Sequence, residues 1–196
     1  MNIVNGKMLR VLVAGLFLAL CLMTGCTSPP RVPESVLDTP QHHTSSGFKL
    51  LEKGYLFDAK REFQLALQLD PDYSDAHRGL ALTCGREHQF APAFESMRLA
   101  RDTARTDREK ALAYVGFMRL YTLEQGEHWL DKTKARFVDA LHCQKDLPDA
   151  YFYMGIAYKL ADRPQEATEA FRKVLEIDNG LVTEAENELK SLLPPT

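Results

Sequence analysis

The sequence predicts an all-α chain: an α-solenoid of about four stacked helix hairpins, closed by a C-terminal capping helix. Three observations carry that prediction. From Gly47 onward apolar residues recur at helical spacing, and no stretch alternates as a half-buried strand would. No proline falls in the middle of a predicted helix over the same span. A small–large–small pattern also returns, in Ala59-x3-Phe63-x2-Ala66, Ala93-x3-Met97-x2-Ala100, Thr133-x3-Phe137-x2-Ala140 and Ala167-x3-Phe171-x2-Val174. The steps from Phe63 to Met97, Phe137 and Phe171 are 34, 40 and 34 residues, a period that belongs to repeat architectures.

Composition agrees. Of 196 residues, 45% are hydrophobic and 26% charged, which excludes disorder over the whole length. A formal net charge of -3 argues against nucleic-acid binding, which shows a basic excess. Four cysteines are too few for a disulfide scaffold.

In chain order, the first 25 residues are not read as fold. Lys7 and Arg10 make a positive start, and residues 11–23 form an apolar run (VLVAGLFLALCLM). Thirteen residues are too short for a bilayer, which takes about 20, but they suit a signal-peptide core. Met23-Thr24-Gly25-Cys26 follows, with small residues that fit a narrow peptidase site and a thiol suited to diacylglycerol transfer. This arrangement resembles the bacterial lipobox, with Met23 where Leu is more usual. The resemblance implies that residues 1–25 are removed and that Cys26 becomes an acylated N-terminus. An ordinary secretory signal with a chance Cys, or an uncleaved anchor, is the alternative. Residue 27 is Thr rather than Asp, which by the same resemblance implies the outer membrane, facing the periplasm. Residues 1–25 hold two basic and no acidic side chains, so the remainder carries 22 basic and 27 acidic groups, a net of -5. A multiply acylated Cys anchors without any basic patch.

Residues 26–46 read as the lipidated Cys followed by a disordered tether. Pro29, Pro30, Pro33 and Pro40 break helices and apolar residues are sparse. Such a segment of about 20 residues reaches up to ~65 Å.

The body spans residues 47–193. Its most regular unit has Tyr151-x2-Met154-Gly155-x2-Tyr158 ahead of Ala167, with Asp162-Arg163-Pro164 at the turn. The same roles fall to His77, Leu80, Ala81 and Cys84 in the second unit, and to Phe117, Leu120, Tyr121 and Glu124 in a degenerate third. Gly47 and Leu50, with a turn at Gly54, represent the first. This pattern resembles the tetratricopeptide repeat. It implies units at about 40–73, 74–107, 114–147 and 148–181. The six-residue slip before the third unit is assigned to its first helix, which Thr106-Asp107-Arg108-Glu109 opens as a capping box. Thr183-Glu184-Ala185-Glu186 reads as a second capping box, opening a final helix over about 183–193.

The family resemblance implies a concave face lined by the first helix of each pair, contacting partners through outward positions. On this chain these are Phe48 and Leu51; Arg78, Leu82 and Arg86; Val115, Met118 and Thr122; Phe152, Ile156 and Lys159. The set is mostly apolar with three cations, and suits an extended or helical peptide with apolar anchors and some acidic groups. A subclass grips a C-terminal carboxylate with Lys and Asn; the matching places hold Arg78 and Leu82, or Thr44 and Phe48, so no such clamp is expected.

No catalytic set emerges. Cys84 and Cys143 fall in different units and are expected as free thiols. His142 and Cys143, adjacent on a helix, point about 100° apart. His42 and His43 sit in the tether, and His77, His88 and His128 have no partner at ligand spacing. Trp129, near a helix–helix turn, reads as packing. No phosphate loop or paired-His motif occurs, so no cofactor, metal or small-molecule substrate is expected. The expected role is a lipid-anchored, non-enzymatic adaptor for one or more envelope proteins. The client class implied by lipoproteins with this repeat is pilus or secretion assembly, or cell-wall enzymes. The alternative is a constitutive subunit of an outer-membrane assembly complex.

Overall fold

The computed structural model describes residues 38–192. The expected signal segment, Cys26 and the tether up to residue 37 lie outside the described residues.

Nine α-helices and no strand make up the described residues. They are α1 (Pro40–Glu52), α2 (Leu56–Leu69), α3 (Ser74–Arg86), α4 (Phe90–Asp102), α5 (Asp107–Glu124), α6 (Trp129–Cys143), α7 (Pro148–Leu160), α8 (Pro164–Ile177) and α9 (Val182–Leu192). Each odd-numbered helix up to α7 packs most extensively on the even helix that follows it, forming four hairpins. Each even helix also packs on the next odd one, with α9 packed on α8. The first helices additionally touch each other, α1 on α3, α3 on α5 and α5 on α7, whereas no comparable second-helix pairs occur among the described residues. A stack whose first helices meet while its second helices splay apart must curve toward the first helices. The solenoid expected from sequence is present, with α9 over its last hairpin.

Local signals explain most boundaries. The α1 helix begins at Pro40, inside the segment expected to be tether through residue 46. Pro40 occupies the first helical position, where its missing N–H is no loss and its fixed φ suits the helix, and Thr39 caps it by accepting from His42 N at 3.2 Å. Pro148 and Pro164 likewise stand at the starts of α7 and α8, there without a side-chain cap. The capping box opens α5 at Asp107: Thr106 Oγ1 accepts from Glu109 N at 3.1 Å, and Glu109 Oε2 accepts from Thr106 N at 3.1 Å. The second expected box is not formed as such. Leu181, at φ 59°, precedes a helix that starts at Val182, so Thr183 lies within the first turn.

Hairpins interlock through large side chains seated against glycine. A methyl group at Gly47 or Gly155 would come 2.6 Å from the Cε1 of Phe63 or Phe171, so these glycines admit a ring from the partner helix of their own hairpin. Gly79 and Gly116 serve the joints between hairpins, receiving Phe63 from α2 and Met97 from α4. That equivalence fixes the register of the third hairpin. Phe63 and Met97 are 34 residues apart, but Gly79 and Gly116 are 37 apart. The first helix of the third unit is therefore in register from residue 111, three earlier than the expected start at 114. Half of the six-residue slip lengthens the start of α5; the other half lies around the α5–α6 bend. In this register Tyr114, Phe117, Met118 and Tyr121 match Tyr151, Met154, Gly155 and Tyr158, a better fit than the expected alignment gives. Met118, fully buried, fills the place that Gly155 leaves open, and Phe137 is only half-buried where Phe171 is fully enclosed.

Candidate functional site: the inner groove

Because α1, α3, α5 and α7 sit side by side, residues near the C-terminal ends of three of them converge. Arg86 of α3, Arg119, Thr122 and Leu123 of α5, and Tyr153, Ile156 and Leu160 of α7 line a pocket of about 200 Å³. Leu123 and Leu160 are 45% and 54% exposed, unusual for leucines and enough to give the pocket an apolar lip.

Its floor is cationic. The Arg119 guanidinium lies over the Tyr153 ring, 4.5 Å from the centroid, and makes no ion pair or hydrogen bond to any described residue. Burial pushes its pKa below the ordinary arginine value, Arg78 and Arg86 add repulsion, and Tyr153 and Asp149 act in the opposite sense. Arg86 donates through Nη1 to the carbonyl oxygen of Leu51 on α1. Further along the same face Arg78 is satisfied within the fold. Its Nε and Nη2 donate to Asp75 Oδ1 at 3.0 and 2.8 Å, and it covers the Phe48 ring at 4.5 Å. Lys159 is engaged too, donating to Glu188 Oε2 at 2.6 Å and Ser191 Oγ at 2.9 Å on α9.

Six of the eleven residues expected on this face are buried, Leu51, Leu82, Val115, Met118, Thr122 and Phe152, although Thr122 still edges the pocket. Leu51 and Leu82 pack into the cluster of the first two hairpins, Val115 and Met118 into the cluster around Ala140 and Met154, and Phe152 against Phe171, Val174 and Ala185 of α8 and α9. The expected register, three residues late, put Met118 where Val115 belongs and Thr122 where Arg119 belongs. Arg86, Thr122 and Ile156 are the expected residues that the structure brings to the pocket; Arg119, Leu123, Tyr153 and Leu160 were missed. The glycine spacing was the available signal for Arg119.

The remaining chemistry-bearing residues lie elsewhere. Cys84 is buried, Cys143 half-buried, and both are free thiols whose pKa burial raises. Among the described residues no group of three or more His, Cys, Asp or Glu side chains is placed to hold a metal. No described helix is long and apolar enough to cross a membrane. Trp129 is half-buried against the cluster of Val115, Met118 and Leu147, as packing. His43, expected in the tether, instead bridges two carboxylates at the first hairpin, Asp38 Oδ1 on Nε2 and Glu62 Oε2 on Nδ1, each at 2.8 Å.

Residues 148–181, which contain the α7–α8 hairpin, match the tetratricopeptide repeat family. No curated protein matches the chain. Among solved structures the fold is similar to that of PilF from Pseudomonas aeruginosa, with a TM-score of 0.59 and 22% identity over 79% of this chain and 67% of that one. It is similar to a tetratricopeptide-repeat protein of Thermus thermophilus, TTC0263, at 0.59 and 22% over 78% and 80%. A structure of MamA matches at 0.50 and 22% over 73% and 80%. The architecture is thus that of tetratricopeptide-repeat proteins, with the family pattern most regular in the last hairpin.

Proposed function

We propose that this chain is a protein-binding adaptor that uses its inner groove, held to the bacterial envelope by a lipid on Cys26, on the periplasmic side of the outer membrane. The groove reading rests on one observation: a half-buried, unpaired Arg119 beneath exposed Leu123 and Leu160, surfaces a fold otherwise hides or pairs. The anchor reading rests on the charged, apolar and Thr24-Gly25-Cys26 segments in order. Pilus or secretion assembly and cell-wall enzymes remain the client classes proposed. The shared fold with PilF supports the architecture alone.

Affinity capture from native membranes with the full chain tests the groove. Substituting Ile156 and Leu160 together with Ser is expected to abolish capture of the specific client, and unchanged capture overturns the groove reading. Cys26→Ser is expected to release the protein from membranes and remove metabolic lipid label; label that survives refutes the anchor. A second reading, a constitutive subunit of an outer-membrane complex, draws on Phe57, Leu99 and Val138, 78%, 41% and 52% exposed on second helices. It predicts that the chain never leaves its complex at equilibrium dilution.

A further inference from the structure

We infer that the pocket between α3, α5 and α7 receives a carboxylate side chain of a partner segment, with a bulky apolar side chain next to it. This deepens the adaptor reading and rests on it.

The argument is one of charge and donor accounting. A guanidinium carries five N–H donors in a planar fork that matches a carboxylate. Those of Arg119 have no acceptor among the described residues; its one close companion, the Tyr153 ring, lies 4.5 Å away and makes no hydrogen bond with it. Arg86, on the same pocket, commits Nη1 to Leu51 and leaves its other donors unengaged. The carboxylates of this face do not neutralise the pair. Asp75 is held by Arg78 and Glu188 by Lys159, while Asp149 influences Arg119 without forming an ion pair. The pocket therefore presents two arginines that repel each other and lack an anion. The apolar lip completes the description of the occupant. A carboxylate on Arg119 leaves its neighbour in the segment against Leu123, Ile156 and Leu160. A volume of about 200 Å³ accommodates side chains rather than a whole cofactor. A bare phosphate satisfies the arginines but leaves the leucines wet, so a peptide is the better occupant.

The test uses the full chain in detergent micelles, immobilised and exposed to a displayed library of random twelve-residue peptides. Selected peptides are expected to carry Asp or Glu beside Leu, Ile, Met or Phe. Binding of one labelled winner is then measured by fluorescence anisotropy. Changing its acidic residue to the amide, or Arg119→Gln in the protein, is expected to weaken binding about tenfold, and both changes together little more than either alone. Arg86→Gln, an exposed position that spares the core, is expected to weaken the same peptide without altering helical circular dichroism. Arg172→Gln on α8 is the control and leaves binding unchanged. Selected peptides without acidic enrichment that nevertheless compete with one another and lose binding with the Ile156 and Leu160 changes overturn the carboxylate assignment and spare the adaptor reading. Acidic peptides that bind Arg119→Gln as well as the parent overturn the pocket. Failure to enrich any peptide overturns both, and competition by millimolar inorganic phosphate alone, with no peptide preference, overturns the peptide occupant.

Discussion

Phe63 holds two hairpins at once. Its ring lies against Gly47 in its own hairpin and Gly79 in the next, and it is fully buried. Phe63→Ala is therefore expected to cost about 3–5 kcal/mol in urea denaturation, and Phe137→Ala, at the equivalent but half-buried place, clearly less. Gly79→Ala is expected to destabilise by about 1–3 kcal/mol despite the better helix propensity of alanine, because the added methyl overlaps an enclosed ring. A stabilised Gly79→Ala variant would show that α3 can shift without loss. At this scale the large members of the pattern were legible in the sequence, since Phe63, Met97 and Phe171 all prove to be core. Arg119 was not legible. The expected alignment is three residues out, and it sets Thr122 in the place that Arg119 holds.

His43 ties the chain entering α1 to α2. A neutral imidazole has a single N–H, so ring nitrogens that both face carboxylates, Asp38 and Glu62, favour the imidazolium. Burial, the largest single influence, pulls its pKa down, but the two hydrogen bonds and the two negative charges outweigh it and the net direction is upward. Among the described residues, Arg61, 3.7 Å from Glu62, and His42, edge-on to the ring at 5.9 Å, also lie beside the cluster. A raised folded pKa means that the stabilisation is complete below the ordinary imidazole value of about 6.5 and is lost as pH rises through the folded value. Ring-proton NMR is expected to place the His43 midpoint above that of an ordinary histidine; a midpoint at or below it refutes the bridge. Thermal stability of the parent, but not of His43→Gln, is expected to fall across the same window. Helices were legible where a local signal carries the boundary, as Thr106 and Glu109 do for α5. They were misread where one residue type has two uses. Pro40 reads as a helix breaker in isolation and serves as a helix start once Thr39 caps it.

Across the whole molecule, stability runs from neighbour to neighbour, since each hairpin touches only those beside it. The α9 helix covers Phe152, Phe171 and Val174 with Ala185, Leu189 and Leu192, and it pairs Glu188 with Lys159. Ending the chain at residue 181 is expected to speed amide exchange in α7 and α8 while leaving α1 to α4 close to their original protection. Uniform loss across all helices would contradict nearest-neighbour stacking. The solenoid was legible because periodicity is a property of the whole chain and survives one slip. The groove was less so, because which inner positions stay open depends on how closely first helices approach one another, a distance no single segment encodes.

Six extra residues lie between Met97 and Phe137, yet Gly116 still meets Met97 and Phe171 follows Phe137 at the usual 34. Selection on this architecture thus acts on mating surfaces and is indifferent to how much chain loops between them. The bend at 125–128, already built from left-handed Gln125 and His128, is a natural port. A reporter peptide spliced there should ride on the outside of the stack and leave every other joint seated.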